Sequence, residues 1–180
     1  MIRNLILLIF FVFISESLFS QKQNFRKPGG STRKNFVWNY ELMCTGVGNT
    51  DVEVVKCFSF GKNFKKARDK VRMDAVHGAL FKGISGSSKS LASGCEPKRP
   101  IINLISYQDE RDWFDEFFVS GAYLQYVNIT NNAQVPASDI VKLKRGGYKV
   151  GFTLTIKFEE LKKRMIEEGF SRSLVEGFNN

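Results

Sequence analysis

Between Asn63 and Lys82 the chain carries a helix whose apolar side is built from small residues. Phe64, Ala67, Val71, Ala75 and Ala79 recur at three- and four-residue spacing, and Val76, Leu80 and Phe81 widen the stripe. Asn63 is a natural N-cap, and Gly83 and Gly86 stop the helix. The other side carries Lys65, Lys66, Arg68, Asp69, Lys70, Arg72 and Asp74. Ala67, Ala75, Gly78 and Ala79 leave little side chain between this helix and whatever it covers. A helix of this kind lies close on a sheet, so the rest of the chain must supply one.

The flanking segments read as that sheet. Phe36 to Gly48 is rich in β-formers with partial alternation, and Asn49-Thr50-Asp51 makes a turn. Val52 to Phe60 follows as an antiparallel partner, with the Gly46/Gly48 pair read as part of the hairpin turn. Ser85 to Pro100 lacks periodicity and reads as a loop, and Ile101 to Ile105 as a short buried strand. Asp109 to Phe118 reads as a short helix ended by Gly121, and Tyr123 to Ile129 and Asp139 to Leu143 as strands. Tyr148 to Ile156 alternates cleanly as a strand before a last amphipathic helix, Phe158 to Glu168. The order β-β-α-β-α-β-β-α predicts an α+β fold, a mostly antiparallel sheet with helices on one face, in a single domain over 35–180.

The first twenty residues stand outside that domain. One positive charge at Arg3, ten apolar residues from Leu5 to Ile14 and the small Ser20 before Gln21 have the layout of a secretory signal. The apolar run is about half of what a bilayer span requires. Residues 21–34 hold Lys22, Arg26, Lys27, Arg33 and Lys34, no acid, and Pro28-Gly29-Gly30; they read as a flexible basic arm. The expectation is an exported protein, periplasmic or at the cell surface, with no transmembrane segment once the signal is removed. Its 27 basic and 18 acidic residues give a net charge of +9. Outside the cytoplasm that charge points to anionic envelope surfaces or acidic partners, and away from nucleic acid. Cys44, Cys57 and Cys95 are too few for a disulfide-built scaffold and leave both one bridge and three thiols open.

Motifs for chemistry are thin. His77 is the one histidine and sits near the apolar face of the helix, the setting of a structural histidine. An enzyme reading needs it to meet Cys44 or Cys57, or needs two acids among Asp109, Glu110, Asp112, Asp115 and Glu116 to converge. Gly83 to Ser90 superficially matches a phosphate loop, but it follows a helix instead of opening one. No metal-ligand spacing and no cofactor motif is present. Trp113, Phe114, Phe117 and Phe118 exceed what one face of a short helix usually buries, which predicts a protein-binding surface there. Lys22, Arg26, Lys27, Arg33 and Lys34 are the corresponding candidates for an anionic surface.

Tyr40-Glu41-x-x-Cys44-x-Gly46-x-Gly48, with Lys65-Lys66-Ala67-Arg68, Arg72, Asp74-Ala75-Val76 and Ala79-Leu80, resembles the N-terminal domain of flagellar assembly protein T and related periplasmic lipoprotein modules. The Ser-Gln after the apolar run is similar to that of exported proteins of the Bacteroidota. The resemblance implies a non-enzymatic accessory or assembly component of an envelope machine for secretion or motility, working by protein–protein binding. A polyanion- or cell-wall-binding protein and an envelope hydrolase are the alternatives. This layout predicts cleavage between Ser20 and Gln21, so that the exported protein begins at Gln21; an intact mass that retains Met1 contradicts it.

Overall fold

Tyr40–Val47 (β1) and Val52–Gly61 (β2) pair antiparallel, and β2 lies in turn along Tyr148–Lys157 (β5). The structure is a computed structural model that describes residues 35–47, 51–86 and 96–172. Among them, two three-residue strands, Val127–Ile129 (β3) and Ile140–Lys142 (β4), share the far edge of β5 end to end. The sheet order is therefore β1-β2-β5, with β3 and β4 completing it, and every pairing between strands is antiparallel. The fold is α+β. Thr45 is an extra residue in β1, where the register slips between Cys44 and Gly46.

The period of two sorts the strands into an inner and an outer face. Tyr40, Leu42 and Cys44 of β1, Val55, Cys57 and Ser59 of β2, and Val150, Phe152, Leu154 and Ile156 of β5 are buried. Against them lies the helix Phe64–Phe81 (α1), capped by Asn63, whose Oδ1 accepts from Lys66 N at 2.9 Å. Ala67, Val71, Ala75, Val76, Ala79 and Leu80 of α1 are fully buried. A side chain at Gly78 would have its Cβ 2.6 Å from Leu42 Cδ2 and 3.1 Å from the Tyr40 ring, so anything larger than glycine forces these side chains to shift. The helix ends where Lys82 and Gly83 both donate to the Gly78 carbonyl, Gly83 at φ +78.

Helices Arg111–Val119 (α2) and Phe158–Glu167 (α3) complete the helical side. Phe114, Phe117 and Phe118 from α2 and Leu161 and Met165 from α3 join the core. Gly121 and Gly169, both at positive φ, follow the two helices.

Four local expectations are corrected. Ile101–Ile105 is not a strand. Ile101 and Ile102 are buried, and their N–H groups donate to the Ala79 and Leu80 carbonyls at 3.1 and 2.9 Å, answering the open C-terminal end of α1. Tyr123–Ile129 is a strand only over Val127–Ile129, because Ala122–Tyr126 winds as a 3-10 helix after Gly121. The element order is thus β-β-α-α-β-β-β-α. Asp74 is not on the solvated side of α1; it is fully buried. Phe36 to Asn39 precede β1 without joining it.

Ala75 lies at the centre of the helix–sheet contact. Ala75→Glu places a carboxylate there with no partner and is expected to destabilise by about 3 kcal/mol or more, read by chemical denaturation. An unchanged midpoint contradicts this packing.

Candidate functional site

Tyr40 of β1 and Ser59 of β2 face one another across the hairpin, both directed into the core. Asp74 and His77, three residues apart on α1, meet that pair. Ser59 Oγ donates to Asp74 Oδ2 at 2.5 Å, and Tyr40 Oη lies 2.6 Å from His77 Nδ1. One rung of the hairpin thus holds one turn of the helix through two buried hydrogen bonds. Lys70, one turn back on α1, brings Nζ to 2.7 Å from Asp74 Oδ1 as an ion pair.

Burial governs the protonation of the group. Desolvation raises Asp74 from 3.8 to about 6, against the pull of Lys70 and Ser59. Desolvation lowers His77 from 6.5 to about 3, with Lys82 and Lys70 adding to it. The Tyr40 hydroxyl is driven far above its ordinary range by burial, then by Asp74 and Cys57. His77 is therefore neutral and Tyr40 stays protonated; with no other acceptor for its hydroxyl among the described residues, the phenol donates to Nδ1, which assigns the ring proton to Nε2.

His77 is also enclosed by rings. Trp38 stacks on it with centroids 3.8 Å apart, and Phe81, Tyr107 and Phe118 stand at 5.0, 5.6 and 6.3 Å. These rings, with Phe114, form a continuous aromatic cluster. The predicted binding rings belong to it. Phe114, Phe117 and Phe118 are buried, while Trp113 is half-buried and packs on Phe114, Phe117 and Phe170. The expected exposed aromatic face of α2 is corrected to a core face, because Phe36, Trp38, Tyr107, Tyr123 and Phe170 reach it from several sides.

The acids of the α2 region serve local structure. Asp109 accepts from Ser106 N at 2.7 Å, and Tyr107 donates to Asp115, which also pairs with Arg111. Cys44 is disulfide-bonded, so it offers no thiol to His77. Cys57 is a free, fully buried thiol pushed well above its ordinary pKa by burial and by Asp74. Cys95 lies outside the described residues. Among the described residues, no group of three or more His, Cys, Asp or Glu could hold a metal ion.

A second assembly lies on the surface. Tyr148 pairs with both Gly61 and Lys142, which brings the β4–β5 turn against the β2–α1 connection. The contact is close: a Cβ on Gly147 would stand 2.9 Å from the Gly61 carbonyl and 3.7 Å from Lys62 Cα. One end of the sheet therefore carries Lys62, Lys65 and Lys66 beside Lys142, Lys144 and Arg145, all exposed. None of these six side chains has a carboxylate partner among the described residues. At the opposite end, Phe158 N donates to Asp51 O, which sets Asp51 beside Glu159 and Glu160 at the start of α3. There Glu159 and Glu160 pair with Lys162 and Lys157, so the bases left without acids gather at the first end. Sequence reading missed this clustering of bases. The basic Lys144-Arg145 turn was legible; its neighbour was not, because only strand register reveals it. Lys22, Arg26, Lys27, Arg33 and Lys34 lie outside the described residues.

No family model matches this chain, and neither a curated protein nor a solved structure matches it.

Asp74 and His77 give stability opposite pH dependences. Asp74, raised in the fold from 3.8 to about 6, favours the folded state below 3.8 and loses that contribution as pH rises through 6. His77, lowered from 6.5 to about 3, favours it above 6.5 and loses its contribution as pH falls towards 3. Comparing Asp74→Asn with the parent cancels the histidine. From pH 4 to pH 7 the unfolding free energy of Asp74→Asn should gain on the parent by about 2 kcal/mol. A constant difference across that range contradicts a raised Asp74.

Proposed function

We propose that this chain is a non-catalytic exported protein of the cell envelope, and that its basic end docks on an anionic membrane surface there. The carrying observation is the convergence of Lys62, Lys65, Lys66, Lys142, Lys144 and Arg145 at one end of the sheet, all exposed and without carboxylate partners among the described residues. Charge spread for solubility alone has no reason to leave six bases without acids at one end while Glu159 and Glu160 at the other pair with Lys162 and Lys157. Each lysine or arginine near an anionic headgroup layer contributes about 1 kcal/mol. The arm at 21–34 adds five more bases to the same chain.

Export is supported by the layout of residues 1–20 and by the disulfide at Cys44, a bond that persists in oxidising compartments. Among the described residues no helix is long and apolar enough to cross a membrane. The non-catalytic reading rests on His77, the one histidine of the chain, which is neutral and walled in by rings, and on Cys44, which is bonded, and Cys57, which is buried. An accessory role in an envelope machine fits such a protein, held at a surface and free to contact a larger assembly.

Co-sedimentation of residues 21–180 with phosphatidylglycerol-containing vesicles tests the reading. Binding should weaken steeply with added salt. Lys65→Glu with Lys144→Glu and Arg145→Glu should lower it by about a hundred-fold or more. The melting transition should hold, since exposed side chains without partners contribute little to folding. Equal binding by parent and triple variant, or no vesicle binding at low salt, defeats the proposal.

A further inference from the structure

β1 is the outer strand of the sheet on the side away from β5, and among the described residues its outer edge is met only at Ser85. Ser85 N donates to the Leu42 carbonyl at 3.4 Å and its own carbonyl accepts from Cys44 N at 2.7 Å, a one-residue parallel bridge opposite Met43. Backbone groups of successive strand residues point to opposite sides, so Leu42, Cys44 and, two residues earlier, Tyr40 turn their N–H and C=O outwards. The Leu42 N–H and both backbone groups of Tyr40 have no partner on that side among the described residues. They open on a groove of about 550 Å³ between Tyr40–Met43 and the Lys82–Gly86 segment beyond α1.

Charge narrows what the groove accepts. Glu41 lines it, but both its carboxylate oxygens are held by Lys149 Nζ at 2.6 and 2.7 Å. Lys82 lines it as well, with its ammonium 4.2 Å from the centre of the Tyr40 ring and no carboxylate partner among the described residues. A ring beneath and an open strand edge alongside leave that cation facing the groove.

We infer that this groove takes a short extended peptide from another protein, added as a strand to the edge of β1 and carrying a carboxylate that meets Lys82. The unpaired Tyr40 and Leu42 groups supply main-chain recognition, and Lys82 supplies the preference for an acidic side chain. The parallel bridge at Ser85 demonstrates that this edge accepts an extended segment. The chain's own basic arm, with no acid in residues 21–34, has the wrong charge for the place. The inference uses a different surface from the basic end, so either can fail alone.

The test uses the chain from Gln21 to Asn180, nitrogen-15 labelled, with two acetylated and amidated pentapeptides, Thr-Val-Glu-Val-Thr and Thr-Val-Lys-Val-Thr. Saturation with the glutamate peptide should slow hydrogen exchange at the Tyr40 and Leu42 amides by about ten-fold or more. It should bind at least about ten-fold tighter than the lysine peptide, and Lys82→Glu should reverse that order. No slowing at these two amides at millimolar glutamate peptide overturns the inference. Slowing without preference between the peptides, or a preference that Lys82→Glu leaves intact, overturns the acidic occupant. Lys82 is exposed at the helix end, so Lys82→Glu should fold, and an unchanged melting transition verifies that.

Discussion

The rung formed by Tyr40 and Ser59 is the constraint on which the rest of the structure depends. α1 presents a face of Ala67, Val71, Ala75, Gly78 and Ala79, which is smooth and could slide along a sheet with little change in buried apolar area. The two polar residues among them remove that freedom. Asp74 and His77 are buried, and a buried polar group without a partner costs roughly 1–3 kcal/mol. Their partners, Ser59 and Tyr40, sit opposite one another on adjacent strands. A shift of α1 by one residue would break both bonds together. The small residues set how close the helix lies, and the polar pair sets where.

The surrounding structure follows from that placement. With α1 fixed, its last turn offers the Ala79 and Leu80 carbonyls to Ile101 and Ile102, which anchors the segment leading to α2. His77 becomes the floor for Trp38, and the rings of α2 close over them. The fixed β2–α1 connection in turn receives the β4–β5 turn, which is how the basic residues of two distant stretches come to one end. The buried centre thus positions a surface that the centre itself does not touch.

Much of this was legible in the sequence where local and global signals agree. The helix at 63–82 carries its cap, its period and its glycine stop, and the structure places it at Phe64–Phe81. The strand at Tyr148 alternates cleanly because one face of it is buried, whereas the hairpin alternates only in part, since β2 buries Glu53 and Ser59 and turns Val52, Val54 and Phe58 to its other face. Ile101–Ile105 misled because a short apolar run looks the same whether its N–H groups bond a strand or a helix end. Asp74 falls on the polar side of an ideal helix wheel, yet the hairpin extends far enough round α1 to bury it with Ser59. The rings of α2 were judged against one helix face, whereas they are packed from several directions by residues as far apart in sequence as Phe36 and Phe170. Residues that meet only through strand register, such as Lys62 and Gly147, leave no trace in linear spacing.

His77 is a neutral acceptor locked inside the fold, and not a group open to solvent. Nitrogen-15 spectra of its imidazole across a pH series test this most directly. The prediction is a neutral ring with the proton on Nε2 and Nδ1 as acceptor, unchanged from pH 8 down to about pH 5. A ring that titrates near its ordinary value of 6.5 would contradict the buried rung and reopen His77 as a site of chemistry.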